Sequence, residues 1–298
     1  MACLMHIGFD NSSRLCRNVY YFEYKGIRFK LIQNNIRKWC DTLLTIIPGR
    51  NNEKSKNKAY IIASEFLSAL SWENNSRVTI HPPGGAGVKE DYRLKQAKSC
   101  IFDLPRIPTG GSRAVGYDIC HIPEIEAEEQ RNALVLFREA LSSNNDYLAF
   151  LFFWQILEIG NGDAIGWVNR TYHKDRNKIR SSNDEFERLP LNGKSLGNYF
   201  YDDCRNAIAH IKRRVGKVGL KLDTPADRTR ITLSTWVIKE FARFYIKDKL
   251  KLQKHMYLVR KYRPRFPVFI SEKEWKRFQW PIAYKRLSLD KMRKKRWR

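Results

Sequence analysis

The run from Tyr147 to Ile159 constrains this chain more than any other stretch. Its 13 residues are apolar nearly all round, interrupted by Gln155 and Glu158. A helix built this way has no polar face to offer water. It is also too short for a bilayer, which needs about 20 apolar residues. The chain must therefore bury the run itself, as the central helix of a bundle over Asp146 to Ile159.

The flanking segments supply partners. Glu124 to Leu141 reads as a preceding helix, joined to the central one by Ser142-Ser143-Asn144-Asn145. A shorter helix fits Ala164 to Tyr172. Ser195 to Val215 reads as another, with Asn192 or Ser195 as candidate caps. Lys217 to Leu222 has the look of a short strand. Thr229 to Leu250 closes the set as a long helix, with Leu233, Trp236, Val237, Phe241, Phe244 and Tyr245 along one side. Residues 123–250 thus form a helical bundle.

Residues 1–122 differ. Tyr20 to Leu31 is aromatic, partly alternating and has Gly26 at its middle, the pattern of a β-hairpin. Ala59 to Trp72 has helical spacing, and Arg77 to His81 reads as a strand stopped by Pro82-Pro83. Gly- and Pro-rich loops are expected at Pro82 to Gly87 and Pro105 to Gly111. Gly84-Gly85-Ala86-Gly87-Val88-Lys89 lacks the spacing of a phosphate loop and is followed by Glu90-Asp91, so it reads as a plain loop. The fold class is mainly α, with an N-terminal α+β module of unknown role.

Charge narrows the function. Fifty-six Lys and Arg against 31 Asp and Glu give a formal +25, a surface that attracts polyanions, most often nucleic acid. Residues 251–298 concentrate it, with 17 Lys and Arg against 3 Asp and Glu. Tyr257, Tyr262, Phe266, Phe269, Trp275, Phe278, Trp280, Tyr284 and Trp297 are interleaved there, a mixture suited to stacking bases and pairing phosphates of single-stranded RNA. We read this extension as a partly packed arm ending in a flexible Lys291 to Arg298. The six cysteines are scattered, with no Cys/His grouping of zinc-ligand spacing. The remaining histidines, His6, His81, His121, His173 and His255, have no partner visible in sequence and read as surface or loop residues. No metal and no cofactor is expected. The N-terminus has no basic segment leading into an apolar run, so the expectation is a soluble cytoplasmic protein.

One stretch is chemically pointed: Asp202-Asp203-Cys204-Arg205-Asn206-Ala207-Ile208-Ala209-His210. On a regular α-helix, Phe200, Cys204, Ala207, Ile208 and Ile211 form an anchoring stripe. Asp203, Asn206 and His210 share a second face. Arg205 and His210 stand roughly 140° apart at 100° per residue. A shared cleft, or two copies of the helix across a dimer axis, would bring them together. Arginine offers phosphate a planar fork of donors and a permanent charge. Histidine moves protons near neutral pH. RNA carries its own nucleophile, the 2′-OH, so phosphodiester cleavage suits the set without a metal. Asn206 or Asp203 would fix the imidazole tautomer.

The Arg-x4-His spacing, with Asn206 after the arginine, resembles the HEPN superfamily. The longer string Asp-Cys-Arg-Asn-Ala-Ile-Ala-His is most similar to the methylamine-utilisation MauJ-like and Apea-type HEPN proteins. The resemblance implies that residues 123–250 are a HEPN-like bundle that forms a homodimer with the motif helices facing each other. It implies a metal-independent endoribonuclease acting on RNA, in toxin or antiviral-defence settings. Carried over, His210 is the acid/base, Arg205 the phosphate clamp and Asn206 the accompanying polar residue, with Asp202 and Asp203 in support. Lys212, Arg213, Arg214, Lys294, Lys295 and Arg296 are candidate RNA-binding cations.

Plainer readings stand beside these. Arg205 can pair with Asp202 and His210 with Asp203 or Asn206, leaving a structural motif. The chain is then a non-catalytic RNA-binding or regulatory module using the same basic surface. A third reading makes it one half of a two-component system with an antitoxin or regulatory partner.

Overall fold

A computed structural model describes residues 3–13, 15–33, 40–47, 53–81, 84–87, 118–160, 162–179, 183–209, 224–259 and 267–275. His210, Lys212, Arg213, Arg214, Lys294, Lys295 and Arg296 lie outside the described residues, as do the expected strand at Lys217 to Leu222 and the glycines at 110 and 111.

Among the described residues nine strands make one sheet: β1 (Cys3–Asn11), β2 (Val19–Tyr24), β3 (Ile27–Ile32), β4 (Asp41–Ile47), β5 (Val78–Ile80), β6 (Gly84–Gly87), β7 (His121–Pro123), β8 (His255–Val259) and β9 (Val268–Ser271). The order is β5-β1-β4-β3-β2-β9-β8-β7, with β6 also beside β1. Neighbours run antiparallel except β2 and β9. The hairpin forms between β2 and β3 with Tyr24 opposite Ile27. Its two-residue turn puts Lys25 at φ 48° and Gly26 at φ 76°, the left-handed pair whose twist suits a tight hairpin.

Two expectations change here. Gly84–Gly87 is a strand, with Gly85 opposite Met5 and Gly87 opposite Cys3. Glycine has little strand propensity and no alternation to read; the ladder edge of β1 supplies the pairing. Second, the basic extension is partly packed as expected, but its packed part consists of strands of the sheet rather than a separate arm. β8 and β9 join the N-terminal strands, and Phe269 packs its ring 5.6 Å from Phe22 and 6.0 Å from Phe66.

The helices are α1 (Glu53–Asn74), α2 (Glu128–Ser142), α3 (Asp146–Glu158), α4 (Ala164–Lys174), α5 (Asn183–Glu187) and α6 (Pro225–Asp248), with the motif segment between α5 and α6. α2 starts at Glu128, later than expected, and the Glu124 N–H instead donates to the Lys254 carbonyl at 2.9 Å, continuing the pairing beyond β7. Asn145 caps α3 by accepting from the Tyr147 N–H at 2.9 Å. Thr224 caps α6, with Pro225 in the first turn, where a missing N–H costs nothing. α3 lies between α2 and α6 and buries Ala149, Phe150, Phe153, Trp154, Ile156 and Leu157. Trp236, expected on the packing side of α6, is 55% exposed. It falls off the arc of Ile231, Val237, Ile238, Phe241 and Tyr245 that faces the core.

Sheet and helices share one hydrophobic core. Phe66 of α1 sits 4.5 Å from Phe22 of β2. Beside it Glu65, almost fully buried, accepts hydrogen bonds from the Tyr24 hydroxyl at 2.5 Å and Arg131 Nε at 2.7 Å, and pairs with Lys25 at 2.5 Å. Burial alone would raise the Glu65 carboxyl pKa. The hydrogen bonds from Lys25, Tyr24 and Arg131 outweigh it and hold the value below the ordinary 4.5. One carboxylate thus ties the sheet, α1 and α2 together.

Candidate functional site

The motif segment is not one regular α-helix. Leu196–Asn198 is α-helical, Tyr199–Arg205 is a π-helix, and Asn206–Ala209 returns to α. The wider turn is visible in the Asn206 N–H, which donates to the Tyr201 carbonyl five residues back. The 100° spacing used for the sequence reading therefore fails between Tyr199 and Arg205.

The widened turn has a packing cause. Residues five apart share a face of a π-helix, and Tyr199 and Cys204 both reach Ser234 on α6. The Tyr199 hydroxyl lies 3.1 Å from Ser234 Oγ, and Cys204 Sγ donates to it at 3.6 Å. Tyr199 thereby joins Phe200, Cys204 and Ala207 in the buried stripe. At the start of the segment the Gly197 N–H donates to Asn169 Oδ1 at 2.7 Å. The backbone there is so close to α4 that a Cβ would sit 2.4 Å from the Ile165 carbonyl oxygen. Burial pushes the Cys204 thiol up to about 11, which removes it as a nucleophile at neutral pH.

Arg205 and Asn206 are half-buried and held together. Arg205 Nη1 donates to Asn206 Oδ1 at 3.0 Å, and the guanidinium carbon lies 5.7 Å over the Tyr201 ring. Tyr201 in turn leans on Trp154 of α3, with ring centroids 6.0 Å apart. The arginine is thus fixed by a short polar contact and an aromatic bed continuous with the core.

The acidic neighbours are engaged elsewhere. Lys194 Nζ donates to both Asp203 oxygens, at 2.9 and 2.8 Å, and lies 3.7 Å from Asp202. The Asp203 carbonyl accepts from Arg230 Nη1 at 2.8 Å, and Arg230 is oriented by Asp227 at 3.0 Å. Among the described residues Asp203 is thus held by Lys194 and Asn206 by Arg205, and no spacing within the motif reveals Lys194; the imidazole they were expected to hold, that of His210, lies outside the described residues.

The histidines also need revision. His6 is buried on β1. His81 Nε2 lies 3.1 Å from Asp10 Oδ2. His173 is exposed in the last turn of α4, as expected of a charge-compatible helix end. His121 and His255 come together with Glu73, all three ligand atoms within 4.8 Å of one another. Among the described residues this is the arrangement suited to a metal. Positions 73, 121 and 255 belong to three distant segments, so no local spacing could have signalled it.

Arg205 and Asn206 thus sit together at the end of a widened turn in the helical layer. Residues 133–247, from within α2 to the end of α6, match the family model described as Methylamine utilization protein MauJ. That stretch, well under half of the chain, is MauJ-like; the match leaves the sheet aside. No curated protein and no solved structure matches the chain. No helix among the described residues is long and apolar enough to cross a membrane.

Proposed function

We propose that this protein is a metal-independent endoribonuclease of HEPN type, acting as a homodimer on RNA. The observation that carries the reading is the state of Arg205. Its guanidinium is positioned by Asn206 and Tyr201, while Asp202 and Asp203 are drawn to Lys194. A positioned cation whose adjacent carboxylates turn to another cation rather than to it suits a phosphate. The MauJ-like match over the same helices and the +25 charge support it.

In this reading the 2′-oxygen attacks the adjacent phosphorus and the bond to the 5′-oxygen breaks. The products are a 2′,3′-cyclic phosphate and a 5′-OH. A proton leaves the 2′-OH and one reaches the departing 5′-oxygen, the transfers assigned to His210. Arg205 stabilises the charge that builds on the phosphate oxygens, a role that grows in the transition state.

The test is cleavage of a tRNA and total-RNA panel in EDTA by wild type, Arg205→Ala and His210→Ala, with product ends mapped. Cutting that persists in EDTA, leaves cyclic phosphate ends and is lost in both variants is the expected result. Equal RNA binding by all three without cutting favours the second reading, a non-catalytic RNA-binding module. The observation on its side is that Arg205 already has a protein partner in Asn206.

A further inference from the structure

The cluster of Glu73, His121 and His255 stands apart from the motif helix. Sheet register creates half of it. β7 and β8 are antiparallel, with His121 opposite Tyr257 and Pro123 opposite His255. His121 and His255 are therefore diagonal neighbours on one face, with ring centroids 5.2 Å apart. The last turn of α1 lays Glu73 over them. His121 Nε2 is 2.8 Å from Glu73 Oε1, and His255 Nε2 is 3.7 Å from Glu73 Oε2. Both imidazoles present the same nitrogen to the same carboxylate.

The grouping of two imidazoles and one carboxylate suits a metal, while the 2.8 Å contact by itself is hydrogen-bond geometry. Ligands about 2.0 Å from a tetrahedral ion lie roughly 3.3 Å from one another. The two separations run to different Glu73 oxygens, and one ligand atom from each residue lies within 4.8 Å of the others, so side-chain rotations would draw the set onto one ion. All three side chains are partly exposed, which leaves an ion a way in.

Glu73 and His255 also line a cavity of about 390 Å³, shared with Trp72, Arg243 and Lys247. Arg243 and Lys247 stand one turn apart on α6, each over the Trp72 ring, at 5.0 and 6.0 Å. A divalent ion would add its charge to a cavity wall that already carries Arg243 and Lys247, a setting that favours an anion in the open coordination position.

We propose that Glu73, His121 and His255 form a three-ligand site for a divalent transition-metal ion of the zinc class. Its open position faces the cavity, where Arg243 and Lys247 draw in a small oxyanion, a phosphate or a carboxylate, as the fourth ligand. Metal and oxyanion then bind cooperatively, each tightening the other by the same factor.

The test uses the untagged full chain. Zinc is titrated calorimetrically into wild type, His121→Gln, His255→Gln and Glu73→Gln, each first checked by circular dichroism. One equivalent should bind wild type, and each folded variant should lose about tenfold or more in affinity. Cobalt should give the intense visible bands of a four-coordinate site in wild type, a readout that does not depend on any variant folding. Inorganic phosphate and acetate are then added in separate arms. At least one should tighten zinc binding, and Lys247→Gln should weaken that gain without abolishing zinc binding. Zinc binding unchanged in the folded ligand variants, or no zinc binding with no cobalt bands, would overturn the site and leave a hydrogen-bonded His–Glu pair. Zinc binding indifferent to both anions would overturn the cooperative part. RNA cutting in EDTA is independent of these results, so the two proposals fail separately.

Discussion

The motif helix and the Glu73–His121–His255 cluster are built in opposite ways. The first takes its polar groups from adjacent positions of one helix and sets them by packing on α4 and α6. The second takes one residue from α1 and two from a strand pair whose partners lie 132 or more positions apart in the chain. The lesson is that proximity in sequence identifies which groups are present, whereas their partners depend on docking. Lys194 reaches Asp203 and Ser234 receives Cys204 only because the helix is widened and seated.

This contrast can be broken. Arg205→Ala should have the largest effect, a loss of RNA cleavage of about 100-fold or more if charge stabilisation is its role, with zinc binding unchanged. Turnover by matched amounts of folded protein measures it. Glu65→Ala should come next. It strips the anion from Tyr24, Lys25 and Arg131 and should cost about 3 kcal/mol by urea unfolding. Because Glu65 and Glu73 share α1, it should also weaken zinc binding while sparing Arg205 chemistry in the folded fraction.

The same carboxylate predicts an acid limb. Its folded pKa lies below the unfolded value of 4.5, so its stabilisation is complete above that value and is lost as pH falls through the folded one. Thermal melts between about pH 5 and pH 2 should fall more steeply for wild type than for Glu65→Gln. Equal slopes would count against the network.

Gly197→Ala is the converse of Glu65→Ala. A Cβ 2.4 Å from the Ile165 carbonyl oxygen forces the motif helix off α4, at about 2 kcal/mol. Cleavage should fall and zinc binding should not. Ser234→Ala is the smallest, about 1 kcal/mol, from losing the bonds to Tyr199 and Cys204. If Gly197→Ala and Glu65→Ala each disturbed both sites equally, the two regions would be one mechanical unit and the comparison would collapse.

The sequence by itself determined the elements with strong local patterns. The apolar run of α3 had to bury a face, although Leu148 on its other side stays 48% exposed; the aromatic alternation around Gly26 had to turn, and Arg205 beside Asn206 stood out chemically. Local pattern suffices where the constraint is the burial of one face or a backbone angle only glycine tolerates. The tertiary structure alone decided the rest. It made a strand of Gly84–Gly87 by offering the edge of β1 and drew β8 and β9 into the N-terminal sheet through Phe269. It left Trp236 in solvent, widened the motif helix into a π turn and joined Glu73 to His121 and His255. Each depends on a partner surface far away in the chain, and hydrogen-bond edges, close backbone approaches and cross-strand diagonals leave no trace in the spacing of residues.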